Sequence, residues 1–257
     1  MQNSHNLLAI KFRSNSPKAK GYIVVAMKLL SIVIPVHNEG DYILVTLNRI
    51  KDTVRTNFEC FVVVDFVDDT TIPFMNQFSE KDNRFSCLLN DLGRGPALAI
   101  KKGINHSKGE AVAIVAGDGS DDVSQIDDLV HLIDRGVGVS VASRHVQGGQ
   151  LVGSPFLKGF LSKIAGLLLY YFANLGTRDA TNNFKIYSRT FLNSIVIESK
   201  HGFEIGLELT TKAKQNGWRI AEIPTIWIER SQGKSNFPLL KSLPRYIRWF
   251  TKSLLRI

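Results

Sequence analysis

The 257-residue chain reads as an α/β protein: a mostly parallel central sheet flanked by helices and followed by a C-terminal amphipathic helix. Three observations predict this. Short apolar runs alternate with helical segments, as strands buried on both faces do when crossover helices cover them. The runs end in polar or acidic residues, and open α/β sheets bind ligands beyond the carboxyl ends of their strands. The composition, 44% hydrophobic and 21% charged, supports a core and excludes disorder of the whole chain.

Residues 1–27 are polar and basic as far as Lys20 and then read GYIVVAM, which predicts a flexible basic extension. The apolar piece is too short to span a bilayer, and no small-residue cleavage site follows it. Met27, directly before a strong strand, is an expected natural start. Residues 28–240 form the expected main domain. LLSIVIPV is its first strand, and a helix follows near residues 40–52. CFVVVD is the second strand, ended by the acidic turn FVDDTT. FSCLLN is the third. GPALAIKKGINHS is a helix opened by Gly93-Arg94-Gly95 and closed near Gly103. AVAIVAGD is the fourth strand, and Ser120-Asp121-Asp122 open a helix running through Leu132. VGVSVASR is the fifth strand.

Cys60 and Cys87 are too few for a disulfide framework or a cysteine-rich zinc site, and both fall in strand-like runs. Buried reduced thiols in a cytosolic chain are the expectation. Mean hydropathy near zero excludes a polytopic membrane protein. The net charge of +9 sits at the ends: residues 1–38 and 241–257 each hold five basic residues and no acid. The middle is left with 22 basic against 23 acidic residues. Cationic ends on a neutral body suit an anionic surface. A nucleic-acid binder would carry basic and aromatic residues across the body, and here acids stand at the ligand-side strand ends, so no nucleic-acid partner is expected.

Three blocks carry the chemistry: SIVIPVHNEGDYI, VVVDFVDDTT and GEAVAIVAGDGSDDV. In this order and spacing they resemble the family 2 glycosyltransferases of the GT-A fold, a Rossmann-like fold that binds nucleotide-diphosphate sugars. NDLGRGPALAIKKGI is similar to that family's N-x-G-x-G-x-A helix start. VASRHVQGG, RDATNNFKIYSR, GFEIGLEL and IPTIWIERSQGKSN resemble its polyprenyl-phosphate branch, the one that includes dolichol-phosphate-mannose synthases. The resemblance spans roughly residues 29–240.

The resemblance implies transfer of a sugar, with inversion, from a nucleotide-diphosphate sugar to a lipid-linked acceptor, with polyprenyl phosphate the first choice. Such a displacement needs charge beside the departing diphosphate, from a divalent cation and fixed basic groups. Asp65, at the end of the second strand, can accept from a base N–H or a ribose hydroxyl. The resemblance adds Pro35, His37, Asn38, Glu39, Asn90 and Arg94 to the donor pocket. It also adds Arg230, Lys234 and Ser235, whose loop contains Gly233 and can close on a diphosphate. Asp68 and Asp69 are expected to form a turn and cap the next helix.

The metal site departs from the family pattern. The usual Asp-x-Asp places its second acid on Asp118 and its first on Ala116, so one carboxylate is missing. Mg2+ or Mn2+ needs few protein ligands when phosphate oxygens and water complete its shell, so Asp118 is the expected metal ligand and catalytic acid-strand residue, with Arg230 as its catalytic partner. Ser120, Asp121 or Asp122 are possible helpers, while Asp121 and Asp122 also suit a helix's first turn. Ala116 equally fits a sugar-nucleotide-binding homologue without catalysis.

On the acceptor side, Arg144 ends the fifth strand, and Lys158 and Ser162 share a helix face. The resemblance implies that these three hold an acceptor phosphate, with Asp179 near them. A phosphate acceptor is already ionised and needs alignment rather than a base. The alternative acceptor is a saccharide hydroxyl in cell-surface polysaccharide synthesis. That reaction needs a base, for which Asp179, Glu204 and Glu208 are the candidates, although Glu208 also suits a surface salt bridge.

FLKGFLSKIAGLLLYYFANL, interrupted by Lys158, Ser162 and Lys163, is expected at an interface rather than across a membrane. In residues 241–257, Lys241, Arg245, Arg248, Lys252 and Arg256 form one helical stripe. Leu243, Ile247, Phe250, Leu254 and Ile257 oppose it, Pro244 suits the first turn and Trp249 lies near the boundary. This predicts a peripheral protein on the cytoplasmic face of an anionic membrane; a helix packed on the core with a solvated basic face is the competing reading.

Overall fold

The structure, a computed structural model, describes residues 29–154, 156–229 and 239–255, with side chains except at 156–158 and 239–241. The extension at 1–27 lies outside the described residues, as do Arg230, Lys234, Ser235, Arg256 and the side chains of Lys158 and Lys241.

The first half alternates as the apolar runs require. β1 (Leu30–Pro35), α1 (Ile43–Thr53), β2 (Phe58–Val64), α2 (Ile72–Lys81), β3 (Phe85–Leu89), α3 (Pro96–His106), β4 (Ala111–Ile114), α4 (Ile126–Asp134) and β5 (Val139–Ser143) follow in order. β1 and β2 are buried along nearly their whole length, on both faces, which explains their lack of polar alternation. A short β6 (Gln150–Val152) leads into α5 (Phe156–Phe172). β7 (Lys185–Ser188), α6 (Arg189–Asn193), α7 (Ile205–Gln215), β8 (Ile220–Pro224), β9 (Ile226–Ile228) and α8 (Leu239–Leu255) complete the chain.

Among the described residues seven strands form one sheet in the order β3-β2-β1-β4-β7-β5-β8. The β1–β4 pairs are parallel, β5 pairs with β8 in parallel, and β7 runs antiparallel to both β4 and β5. The sheet is thus mostly parallel, as expected, with one reversed strand in its middle. The reversal has a functional effect, because the connection entering β7 arrives at the edge where the other strands end.

Local expectations are corrected at several places. α3 does not close at Gly103 but runs to His106. Gly103 is a packing glycine: a Cβ there would lie 2.3 Å from Val33 Cγ1 on β1. Gly103→Ala should therefore destabilise the fold by about 1–3 kcal/mol, because overpacking against a branched core residue outweighs about 1 kcal/mol of helix propensity. A urea melt checks this, and a stabilised variant would contradict it.

The helix after the fourth strand begins at Ile126 rather than Ser120, behind a 3-10 turn at Val123–Gln125. Asp122 caps that turn, its Oδ1 accepting from Ser124 N–H and Oγ–H. The IAEIPTIWIE run is two strands. After Pro224 the chain leaves the main sheet, and β9 pairs in parallel with β6.

α8 begins earlier than expected, so Pro244 lies inside it. Trp249 is buried rather than interfacial, in a cluster with Leu169, Leu175, Ala180 and Leu207. Lys212, Arg248 and Lys252 surround its ring, and Glu198 pairs with the same three cations. Part of the basic stripe is thus used internally, while Leu243 and Ile247 are 45% and 49% exposed. On α5, which packs beside α8, the residues Phe160, Leu161, Ile164, Leu168, Tyr171 and Phe172 are each at least 39% exposed. Their spacing places all six within about 120° of one helix face. No described helix is long and apolar enough to cross a membrane. Cys60 is buried and Cys87 half-buried, both free, and burial pushes the Cys87 thiol up to about 11.

Candidate active site

The parallel strands deliver Pro35, Asp65, Asn90, Asp118 and Arg144 to one edge of the sheet, each ending or following β1, β2, β3, β4 or β5. β2 and β4 both neighbour β1, so the strand ends that lead to Asp65 and Asp118 are two strand spacings, about 10 Å, apart. β5 lies two places beyond β4 on the other side.

On the donor side, Asp65 is bracketed by its surroundings. Its Oδ1 accepts from Asn90 Nδ2 at 2.8 Å and its Oδ2 from Gly95 N–H at 2.7 Å. Gly95 is required there twice over: its φ is +114°, and a Cβ would meet His201 O at 2.5 Å. Asn90, expected as a nucleotide ligand, is buried and also accepts from Leu92 N–H. Its side chain organises the glycine loop and brackets Asp65.

Asn38 has φ +56° and ties the turn after β1 to the turn after β2: its N–H donates to Asp69 Oδ2 and its Oδ1 accepts from Thr70 N–H. Asp69 is buried and also accepts from Thr71 N–H, in keeping with a turn-forming role. Glu39 N–H donates to Thr71 Oγ1. His37 and Arg94 flank a residue that sequence reasoning passed over. Phe66 lies 5.4 Å from the His37 ring, and the Arg94 guanidinium stands 4.3 Å over its face. An aromatic directly after a ligand-edge Asp was the available signal.

At the end of β4, Asp118 Oδ1 accepts from Ser120 N–H and Oγ–H. No hydrogen bond occupies its Oδ2 among the described residues. Asp121 is not on a helix's solvent face. It is buried and its Oδ2 accepts from Ala116 N–H at 2.8 Å. Burial pushes its carboxyl up to about 7 against that bond, and the nearby Asp118 charge adds to the rise. Asp122 lies 3.6 Å from Arg49, whose Nη1 donates to Gly119 O, and Thr46 Oγ–H donates to Gly117 O. α1 thereby fixes the acidic loop. β9 closes it from the other side through Ile228 N–H to Ser120 O. Among the described residues no group of three or more metal-ligating side chains occurs. Asp118 Oδ2 still suits an ion whose other ligands are diphosphate oxygens and water.

The end of β5, where the acceptor residues are expected, is the most highly organised. Asp179 is fully buried and takes a two-pronged contact from Arg144, Nε to Oδ2 at 2.7 Å and Nη2 to Oδ1 at 2.8 Å. It also accepts from Arg144 N–H. Burial alone would raise the Asp179 carboxyl, but the Arg144 charge and hydrogen bonds outweigh it and hold the group at about 2. Asp179 therefore does not face an acceptor. It aims Arg144, whose Nη2 reaches Ser162 Oγ at 3.4 Å. Ser162 Oγ also lies 3.0 Å from Thr181 Oγ1 and 3.2 Å from His145 Nε2.

Lys185, unremarked in the sequence, is buried in β7 and donates to Ala180 O and Gly206 O. It pins the Asp179 loop to the start of α7. Burial pulls its pKa down to about 7. Between pH 7 and about 10 the unfolded chain binds this proton and the folded chain does not, so this group makes stability rise with pH. The melting temperature of Lys185→Met should climb less from pH 7 to 9.5 than that of the wild type; an equal climb would show Lys185 to be charged in the fold.

Glu208 is not a surface residue. It is fully buried, accepts from Glu198 and Ser199 N–H, and pairs with Lys212 at 2.9 Å. Glu204 is also buried, accepts from Gly202 N–H, and lines a cavity of about 250 Å3 with Arg245 and Trp249.

Comparison with known proteins agrees with this architecture. The polyprenol monophosphomannose synthase of Mycolicibacterium smegmatis is 26% identical over 79% of this chain and 79% of its own. The undecaprenyl-phosphate mannosyltransferase of Micrococcus luteus is 28% identical over 81% of this chain and 87% of its own. Among solved structures, glucosyl-3-phosphoglycerate synthase from Mycobacterium tuberculosis, in complex with Mn2+, UDP-glucose and phosphoglyceric acid, superposes with a TM-score of 0.68 at 16% identity, over 88% of this chain and 80% of that one. A mannosyltransferase from Pyrobaculum calidifontis, in complex with GDP-mannose and Mn2+, gives 0.63 at 17% identity, over 91% and 66%. These likenesses establish the GT-A fold. The model of glycosyl transferase family 2 matches residues 31–196, well over half the sequence, and the chain belongs to that family.

Proposed function

We propose that this chain transfers a sugar, with inversion, from a nucleotide-diphosphate sugar to a polyprenyl phosphate. One observation carries the choice of acceptor. Arg144 is held at the ligand edge beside Ser162 by a buried carboxylate, and no carboxylate in that cluster is free to act as a base. Such a site suits an acceptor that arrives already ionised. The saccharide-hydroxyl alternative needs a base, and Asp179 and Glu208 are both committed to other partners, so that alternative rests on Glu204, whose buried Oε2 has no hydrogen-bond partner among the described residues.

The chain's own residues then divide the work. Asp65, the Asn38 turn and the Phe66 platform hold the nucleotide. Arg144, steadied by Ser162, would align a phosphate oxygen with the anomeric carbon, and Lys158 would join it as the resemblance implies. Asp118, with Ser120 and Asp121 beside it, would hold Mg2+ or Mn2+. When bound, that ion neutralises charge on the departing diphosphate. Arg230, Lys234 and Ser235 would close over the same diphosphate.

The acceptor's isoprenoid tail calls for a lipid surface. The exposed apolar faces of α5 and α8 supply one, with cationic residues nearby, so the protein is peripheral at the inner face of the cytoplasmic membrane. Leu168→Asp and Ile247→Asp should each lower retention on anionic vesicles about tenfold, measured at a temperature where both variants remain folded. Salt-sensitive DNA binding that outcompetes vesicles would point to the rejected nucleic-acid partner instead.

The decisive experiment offers undecaprenyl phosphate and, separately, a sugar-alcohol acceptor, each with a panel of labelled nucleotide sugars and Mn2+. An acid-labile lipid-phosphate sugar is expected. Product with the sugar alcohol alone would overturn the assignment.

A further inference from the structure

The hydroxyl of Ser162 has one proton and two lone pairs, and three neighbours contact it. Arg144 Nη2 can only donate, so it takes one lone pair. One proton and one lone pair remain for His145 Nε2 and Thr181 Oγ1. Only two arrangements satisfy the set. If His145 donates, Ser162 must donate to Thr181, and the Thr181 proton is free to point outward. If His145 accepts, Thr181 must donate to Ser162, and Thr181 presents only lone pairs.

We propose that His145 sets the polarity of this hydroxyl chain, and that its Nε2–H form turns Thr181 into a donor for the acceptor's phosphate. The inference rests on the acceptor reading above and adds a positioning residue to it. His145 does not touch the ligand in this scheme: its side chain is 4% exposed, whereas Thr181 is half-buried and can reach one. No hydrogen bond from Nδ1 fixes the tautomer among the described residues, so the ring can adopt either form.

The charged groups facing the imidazole come from every element around it. Asp179 Oδ1 lies 4.0 Å away, Arg144 precedes it on the chain, Lys163 approaches from α5 and Glu222 from β8. Burial holds the imidazole below its ordinary value, with Asp179 opposing, so it is neutral at pH 7. At that pH the choice lies between two neutral tautomers. An anion at Thr181 favours the one that frees the Thr181 proton, and no proton need be gained or lost. The switch is therefore one of hydrogen-bond direction, which ligand binding and tautomer share by linkage.

The test uses the full chain and farnesyl phosphate as a short probe. Nitrogen-15 spectra of histidine-labelled protein, with His145 assigned by its loss in His145→Gln, should show Nε2–H dominant at saturating probe. A ring that stays Nδ1–H, or that the probe leaves unperturbed, would overturn the proposal. In steady-state assays His145→Phe should raise the acceptor KM about tenfold, with donor KM and kcat within twofold of wild type. His145→Gln can present an amide donor in place of Nε2–H and should recover most of the loss. A Gln variant as impaired as the Phe variant, with both melting like wild type, would also overturn it. The acceptor reading fails separately, if wild-type protein transfers no sugar to any polyprenyl phosphate while the tautomer still responds to the probe.

Discussion

Asp118→Asn is expected to lower kcat by about 10^2- to 10^3-fold while leaving the melting temperature unchanged. The two halves of that expectation come from the two oxygens of one carboxylate. Oδ1 is structural, accepting from Ser120 N–H and Oγ–H, and the asparagine carbonyl can accept the same pair. Among the described residues no hydrogen bond occupies Oδ2, and replacing it with an amide removes the negative charge that would hold a cation against a diphosphate. Fixed electrostatic contacts to developing charge are typically worth two to three orders of magnitude. The family's usual first acid is Ala116 here, so the chain has less redundancy at this point than its pattern allows. Single-turnover rates with the preferred donor, at saturating Mn2+, check the prediction. Unchanged turnover would show that the acidic rim takes no part and would favour a binding protein that has lost catalysis.

Arg144→Ala should have the second large effect, and it should strike fold and function together. The substitution leaves Asp179 fully buried with its charge uncompensated, which costs about 3–5 kcal/mol. The pH dependence distinguishes this from simple loss of packing. In the wild type Asp179 is held at about 2, below its unfolded value. Its contribution to stability is therefore complete above about pH 4 and is lost as pH falls towards 2. Without Arg144 the buried carboxyl rises, so the stability gap between wild type and variant should narrow as the solution is acidified from pH 7 to 4. A constant gap would mean that the pair is not the source of the loss. Arg144→Met combined with Asp179→Leu removes both charges. It should melt within about 1–2 kcal/mol of wild type yet still fail to use a phosphate acceptor. Arg144→Lys keeps one positive charge without the fork and should fall between the two.

The first half of the fold is legible from the sequence because its strands are buried on both faces. Continuous apolar runs such as LLSIVIPV and CFVVVD leave little choice of period. β7 escapes such reading. KIYS is four residues long, starts with a lysine, and is buried along its whole length. Lys185 is tolerated there because two carbonyls take its protons, and no sequence pattern announces those partners. Gly103 misleads for a similar reason: a glycine near the end of a helical run resembles a stop, and only the position of Val33 reveals why it is there. The register of α8 was lost because the basic stripe dominates its pattern, while Ser242, Trp249 and Ser253 form the face that is actually buried.

The candidate site divides in the same way. Asp65, Asp118 and Arg144 follow strand ends, so topology alone brings them to one edge of the sheet. Residues whose meaning depends on a partner are not legible in this way. Asp179 and Asn90 turn out to aim other groups. Asp121 faces inward, and Glu208 is buried against a loop. His145, Thr181 and Phe66 acquire importance only through contacts across elements distant in sequence.

The reversed strand in the middle of the sheet divides the molecule's inheritance. Its entry loop carries Asp179 and Thr181 to the reactive rim, while at its exit Arg189 bonds the carbonyls of Ile104, Ser107 and Gly109 on the far side. Asp179 and Lys185 anchor the entry and Arg189 the exit, so the half-buried positions of the entry loop, Arg178, Thr181 and Asn183, can vary around those anchors without disturbing β1 to β4. A lineage could trade one acceptor for another by editing a handful of codons there, keeping its sugar-nucleotide half intact. Exchanging Arg178, Thr181 and Asn183 for the residues of a relative with a different acceptor, with Asp179 kept, should then transplant preference rather than destroy turnover.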